Sequence, residues 1–384
     1  MSRCALFGAH LIDPELDEPV EATLLVENGR IVDRLRPDAE PGGDWPRAYL
    51  FGRLVAPGLI DLHFHGELFA APCDAFAGAL ARAGDEMLAH GTTAFLATTV
   101  SWDHEATLER VGELSRLIGS GNAPGAACLG LHLEGPWLSA EAPGAMAAGC
   151  LRPFEPRRDR DVLDRAGELL RMVTLAPELE GAAALLDELA RRDVVASLGH
   201  SRAGRDQIDA GIARGLRHVT HLFNAMGPFH HRAPGVAGHV LAEDRLSCDL
   251  ICDGYHVHPD AVRIAARTLS ERLLLVSDRV DLPGWSDDAA SPGAPARLAD
   301  GTIAGSRLGQ HQAVRNAMAF GGLPLTRAVA AATLRPARLL GIEHTHGTLR
   351  RGARADLAIL DDEGRLLETW MGGRPVWVRG AAAA

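Results

Sequence analysis

GLIDLHFHG, residues 58–66, is an apolar run that ends in two histidines one residue apart. In an extended strand the side chains alternate faces, so His63 and His65 point the same way and Phe64 the opposite way. Two imidazoles on one face can share a metal ion. The spacing recurs at His256/His258 and His344/His346 in a chain with 17 histidines, but only the first pair directly ends an apolar strand run. Two polar strand-end residues facing solvent would look the same, so the pair has to be weighed with the other strand ends.

From Leu54 onward, short apolar runs alternate with longer alanine- and leucine-rich segments of helical spacing, such as AFAGALARAGDEMLAHG and AAALLDELARRD. The strand-like runs are LVAPGLIDLHFHG, TAFLATTVS, AACLGLHLEG, RMVTLAPE, VVASLGHS, HVTHLFNAM, LSCDLICDG and LLLVSD. Eight runs, each followed by a loop or a helical stretch, suit parallel strands with crossover helices closed into a (β/α)₈ barrel over residues 57–346. Residues 1–56 read as short strands, with Glu27-Asn28-Gly29 as a hairpin turn, and short strands return after Gly347. Neither end has enough apolar surface to stand alone, so 1–56 and 347–384 are expected to form one small β domain.

The chain of 384 residues, 47% hydrophobic and 23% charged, is long enough for such a pairing of a large and a small domain. Its formal charge of -11 argues against nucleic acid or an anionic membrane as the principal partner, though a local anion site is compatible with it. Asp13, Glu15, Asp17 and Glu18 stand where a signal peptide would need its apolar region, and no run approaches membrane-spanning length. A soluble, cytoplasmic protein is expected. The cysteines at 4, 73, 128, 150, 248 and 252 form no CxxC motif, which favours reduced thiols. There is no lysine, so all 39 basic residues are arginine. That excludes a Schiff-base lysine and a carbamylated lysine bridging two metals.

In a (β/α)₈ barrel the C-terminal ends of the strands converge on one mouth. Those ends carry His63 and His65, Glu134 in LHLEG, His200 in SLGHS, His221 in HVTHLFNAM and Asp278 in LLLVSD. Any one of them alone reads as an ordinary hydrogen-bonded or solvated side chain; six on corresponding strand ends make a divalent metal site, suited to Zn²⁺ or Fe²⁺. Such an ion polarises a carbonyl and acidifies water. Asp278 is then placed to act as general base and to pass the proton to a leaving amine, although an aspartate after a strand can also be a simple cap. The chemistry indicated is metal-assisted hydrolysis of an amide or related bond.

The neighbouring loops supply candidates for substrate binding. Asn224 lies just past a candidate ligand, three residues after His221. Arg232, in HRAPGVAG, lies where a loop could return over the mouth with donors suited to phosphate or carboxylate. His256, in CDGYHVHP, could donate to a substrate oxygen. A surface arginine and a loop histidine are equally compatible readings.

With their surrounding motifs these residues resemble the amidohydrolase superfamily and, within it, the N-acetylglucosamine-6-phosphate deacetylase family. The likeness runs through APGLIDLHFHG, LHLEGPWLS, LAPE, GHS, HVTHLFNAM, HRAPGVAG, CDGYHVHP, LLLVSD, GTIAGSRLG and GTLRRGARADLAIL, nearly the whole chain. It implies a TIM-like barrel with a small β-sandwich built from both termini, usually a homodimer. The reaction implied is hydrolysis of the acetamido group of an amino-sugar phosphate, and the alternatives are a related N-acyl substrate or a non-catalytic sugar-phosphate-binding homologue. By motif, Glu134, His200 and His221 match the common metal ligands. His63 and His65 match members that hold a second ion, so one or two ions of zinc or iron per subunit are implied. Asp278 matches the catalytic aspartate; Asn224, Ala225, Arg232 and His256 match substrate-contacting positions, with Arg232 resembling an arginine that reaches the partner subunit's site. One departure stands out. Where the family reads a KGAH-like stretch whose histidine polarises the substrate carbonyl, this chain reads PGAM, with Met146 at the histidine position. Methionine cannot donate a hydrogen bond. The loop from Arg279 to Ala304 also diverges.

Overall fold

The computed structural model describes residues 3–121, 124–281 and 294–381. The N-terminal strands are β1 (Arg3–Leu11), β2 (Val20–Glu27), β3 (Arg30–Leu35), β4 (Arg47–Tyr49) and β5 (Leu54–Pro57). Asn28 and Gly29, both at positive φ, make the tight turn between β2 and β3 read from the sequence. The barrel strands follow as β6 (Leu59–Gly66), β7 (Thr92–Thr99), β8 (Ala127–Glu134), β9 (Leu170–Leu175), β10 (Val195–Leu198), β11 (Leu216–Val219), β12 (Ser247–Ile251) and β13 (Leu273–Val276). Each pairs in parallel with the next, and the order along the sheet is the order in the chain. A short strand β14 (Arg279–Val280) lies beside β6, and β15 (Ala296–Arg297) with β16 (Ile303–Gly305) forms a small hairpin. Three strands end the chain: β17 (Leu357–Leu360), β18 (Leu366–Met371) and β19 (Arg374–Val378).

The helices α1 (Phe76–Ala89), α2 (His104–Gly119), α3 (Pro156–Ala166), α4 (Ala182–Arg191), α5 (Arg205–Ile212), α6 (Gly235–Leu241), α7 (Pro259–Leu269) and α8 (Gln310–Gly321) follow successive barrel strands, and α9 (Leu325–Ala331) and α10 (Leu334–Leu339) close the outer layer. Their small apolar faces, such as Ala79, Leu80, Ala83 and Met87 of α1 or Leu185, Leu186 and Leu189 of α4, are buried against the sheet in one continuous core. This is the TIM-like barrel that the alternating texture predicts.

The seam between the last barrel strand and the first is closed by side chains together with short backbone links, among them the parallel pairing of β14 with β6. Gln310 Nε2 donates to the carbonyls of Ile60 on β6 and Leu275 on β13, at 3.0 and 2.7 Å. Buried Asp61 accepts from the amides of His63 and Ser277, at 3.3 and 3.2 Å. The Asp278 amide donates to the His63 carbonyl at 2.9 Å. The two ends of the barrel sheet thus meet at His63 and Asp278, two of the strand-end residues singled out in the sequence.

The terminal strands form a separate sheet, ordered β19-β18-β17-β5-β1-β2-β3 with β4 against β1. Leu6 and Leu24 from one end of the chain pack with Leu357 and Ile359 from the other. The sequence run LVAPGLIDLHFHG therefore serves two sheets, not one: Leu54–Pro57 pairs with β17, and the barrel strand begins at Leu59. Gly58 makes the transfer, its amide donating to the Asp356 carbonyl, and a Cβ there would meet Thr93 Oγ1 at 2.0 Å. Of the divergent stretch from Arg279 to Ala304, residues 282–293 lie outside the described residues.

Candidate active site

All six strand-end residues singled out in the sequence meet at the C-terminal mouth. Alternation along β6 sends Asp61, His63 and His65 to the barrel interior, and along β8 it sends His132 and Glu134 there; all five are buried. His200, His221 and Asp278 follow the ends of β10, β11 and β13, and each has a left-handed backbone, with φ of 48°, 32° and 47°. For non-glycine residues this costs roughly 1–2 kcal/mol each. The sharp turn it makes aims the side chain at the barrel axis instead of along the outgoing loop.

The two oxygens of Glu134 face different histidine pairs. Oε1 lies 3.0 Å from His200 Nε2 and 2.9 Å from His221 Nε2. Oε2 lies 3.5 Å from His63 Nε2 and 3.3 Å from His65 Nε2. His63 and His65 present their Nε2 atoms to each other at 3.1 Å. Asp278 Oδ1 is 3.4 Å from both. Two overlapping ligand groups result, His63/His65/Glu134 and Glu134/His200/His221. Two of the imidazoles are locked from behind: His65 Nδ1 lies 3.1 Å from the Thr98 carbonyl and His200 Nδ1 2.9 Å from the Ala142 carbonyl. Each carbonyl accepts a hydrogen bond from Nδ1–H, which in the neutral ring leaves the Nε2 lone pair for a cation. Among the described residues, His63 and His221 have no such partner at Nδ1.

The electrostatics have the same sense. Burial opposes the charged form of His65, but Asp278 and Glu134 outweigh it and lift its pKa to about 10. His221 is raised in the same way by Glu134. Burial would raise the two carboxyls, yet the histidines around them, His63 foremost, hold Glu134 well below the usual carboxylate range and Asp278 below it. The cluster therefore favours positive charge at its centre. A divalent cation, bound by deprotonated imidazoles and carboxylates, fits this donor set.

Above the cluster is a cavity of about 290 Å³, lined by Glu134, His200, His221 and Asp278 at its base and by Asn224, Ala225 and His256 at its side. Gly144 reaches the same space with φ +56°, where a Cβ would come within 3.0 Å of the His200 ring. Asn224 Nδ2 donates to the His221 carbonyl at 3.3 Å, and Ala225 takes positive φ so that its carbonyl accepts from the Ser201 amide. His256 Nδ1 lies 2.6 Å from Asp253 Oδ2, while Asp253 Oδ1 accepts from the His256 amide at 2.8 Å, which leaves Nε2 as the ring atom for a ligand. Met146 is also in the wall, and its Sδ accepts from the Ser101 amide at 3.4 Å. With Phe69, Ala145 and Ala304 it gives one side of the cavity an apolar character.

Arg232 is not brought into its own chain's cavity. It is exposed on the loop before α6, with Nη1 2.9 Å from His231 Nε2. Three contributors went unread in the sequence. His132 lies under His63 with ring centroids 4.8 Å apart, and is tied to the Leu62 carbonyl and Thr174 Oγ1. Its place two residues before Glu134 was available from strand alternation. Asp61 has the same relation to His63. Asp253, behind His256, could have been suspected only from the turn.

The amidohydrolase family model matches residues 54–380. The chain belongs to the amidohydrolase family. N-acetylglucosamine-6-phosphate deacetylase of Homo sapiens is 35% identical over 98% of this chain and 91% of its own length. N-acetylgalactosamine-6-phosphate deacetylase of Escherichia coli O157:H7 is 33% identical over 84% of this chain and 87% of its own. Among solved structures, a mutant N-acetyl-D-glucosamine-6-phosphate deacetylase of Mycobacterium smegmatis in complex with N-acetyl-D-glucosamine-6-phosphate is 34% identical. It superposes with a TM-score of 0.86 over 98% of this chain and 100% of that one. Amidohydrolases are in general dependent on divalent metals, and the two histidine–glutamate groups of this chain could hold them.

Proposed function

We propose that this amidohydrolase removes the acetyl group of N-acetylglucosamine 6-phosphate, releasing acetate and glucosamine 6-phosphate. The observation that carries the reading is the division of Glu134 between two histidine pairs with Asp278 alongside, at the base of a cavity of about 290 Å³. In this reading His63, His65, Glu134, His200 and His221 would hold one or two ions of zinc or iron. A bound ion supplies a Lewis acid that polarises the amide carbonyl and acidifies water.

The chain's own residues do the rest. Asp278 takes a proton from the attacking water and delivers it to the departing amine nitrogen as the C–N bond breaks and the C–O bond forms. His256, oriented by Asp253, and Asn224 with the backbone at Ala225 hold the sugar. The protein works as a cytoplasmic homodimer in which exposed Arg232 reaches the phosphate in the partner subunit's cavity, since its fork suits that dianion and it lies outside its own.

Met146 favours a second reading, another N-acyl amino sugar or a small N-acyl compound. A thioether in the cavity wall supplies no donor to the carbonyl, and loss of one such donor typically costs about 2.7–4 kcal/mol of transition-state stabilisation. The test is acetate release by the metal-loaded protein from N-acetylglucosamine 6-phosphate, its galacto isomer and the unphosphorylated sugar. Turnover of the first above the others, with KM raised at least tenfold in Arg232→Ala, is expected. Failure on all three with metal bound would transfer the reading to a different N-acyl substrate.

A further inference from the structure

We infer that the floor of the barrel, opposite the mouth, holds a second anion site that takes a phosphate group, either free or as the monoester of a small metabolite. A hollow of about 500 Å³ opens where β9, β10 and β11 begin and α10 ends. This is the size of an ordinary small-ligand pocket. Four guanidiniums, those of Arg171, Arg192, Arg217 and Arg338, line it together with Glu168 and Asp193.

Arginine is the only strong base in this chain, so arginine at a surface is unremarkable; what distinguishes this hollow is how little of its charge is matched. Arg171 donates to the Leu340 carbonyl at 2.9 Å, and among the described residues no carboxylate pairs with it. Among the described residues Arg217 has only the carboxylate of Asp193, with Oδ1 at 3.9 Å on a side chain almost wholly in solvent. Arg338 has Glu15 at 3.8 Å, and that carboxylate is already gripped by Arg350. Only Arg192 is fully engaged, with Asp164 at 2.5 Å and Glu188 at 2.8 Å.

An adjoining hollow of about 300 Å³, which shares Arg217 and Arg338, gives the contrast. There Arg245 pairs with Glu243 at 2.7 Å, Arg272 with Asp244 at 3.3 Å and Arg335 with Glu271 at 3.2 Å. In a chain with a formal charge of -11, three under-neutralised guanidiniums around one concavity are a place for a bound dianion. Guanidinium forks match the tetrahedral oxygens of phosphate in pairs. The site lies at the opposite ends of the same strands from the catalytic cluster, so it is independent of the reading of the mouth.

Hydrogen exchange of the metal-loaded, full-length protein, read by mass spectrometry with and without inorganic phosphate or glucose 6-phosphate, tests the site. Slowed exchange in segments 167–171, 192–195, 216–217 and 338–341 is expected. The stronger effect with one probe or the other tells the free anion from the ester. Titration calorimetry should then show at least a tenfold weaker floor-site dissociation constant in Arg217→Gln/Arg338→Gln, with acetate release in the absence of phosphate unchanged. Protection confined to the mouth segments, or an isotherm indistinguishable from wild type, overturns the inference. The exchange measurement needs no variant and decides the matter even if the double variant folds poorly.

Discussion

At the scale of single residues, the proposed metal site would exchange protons for a cation. His65, lifted to about 10 by Asp278 and Glu134, carries a proton at neutral pH when no metal competes for Nε2. Metal must displace that proton. Uptake of Zn²⁺ by the stripped protein at pH 8 should therefore release at least one proton, measurable by calorimetry in buffers of different ionisation enthalpy. The apparent affinity should rise with pH. Uptake with no net proton release would mean that His65 is not a ligand. That these residues converge was legible because each is a ligand type at or just past the end of a strand. The groups that orient them were not: the Thr98 and Ala142 carbonyls behind His65 and His200 are backbone atoms, which any residue type supplies.

At the scale of elements, the barrel has a seam where β13 and β6 share no ladder and side chains supplement the short pairing of β14 with β6. Gln310 at the start of α8 spans Ile60 on β6 and Leu275 on β13. Its replacement by leucine leaves two buried carbonyls unpaired, at about 1–3 kcal/mol for each group. Gln310→Leu should lower unfolding free energy by at least about 2 kcal/mol in urea and reduce metal retention, because His63 and Asp278 lie on the two sides of that seam. A denaturation midpoint equal to wild type would show that the ladder closes without it. The eight strands and their alternating helices were legible as period and texture, but the seam was not. Contacts separated by 250 residues in sequence leave no local pattern. The same applies to the division of LVAPGLIDLHFHG between two sheets, which hydrophobicity alone reads as one strand and which the close approach of Gly58 to Thr93 decides.

At the scale of the whole molecule, removal of metal should make stability depend on pH. In the metal-free protein the folded pKa of His65, about 10, lies above the ordinary 6.5. The folded state then binds the proton more tightly than the unfolded one, so this contribution is fully present below pH 6.5 and is lost as pH rises through 10. The melting temperature of the chelated protein should fall over that window, while that of the metal-loaded protein, stabilised by ligation, should hold. Coincident curves would argue against metal at this cluster. The pairing of the two chain ends in one sheet was legible because neither end buries enough alone, and Leu6 and Leu24 do pack with Leu357 and Ile359. The arginine-lined floor was not legible, since its residues are scattered over four elements and arginine is the only strong base available to the chain.

The proposed reaction depends on Asp278 as the proton carrier beside the histidine–glutamate cluster. It is tested most directly by measuring acetate release and metal content on the same samples of wild type and Asp278→Asn. Asparagine keeps the shape and removes the base. The account predicts wild-type metal content with turnover reduced by about 10²–10⁴-fold or more. Turnover close to wild type with metal in place would contradict it.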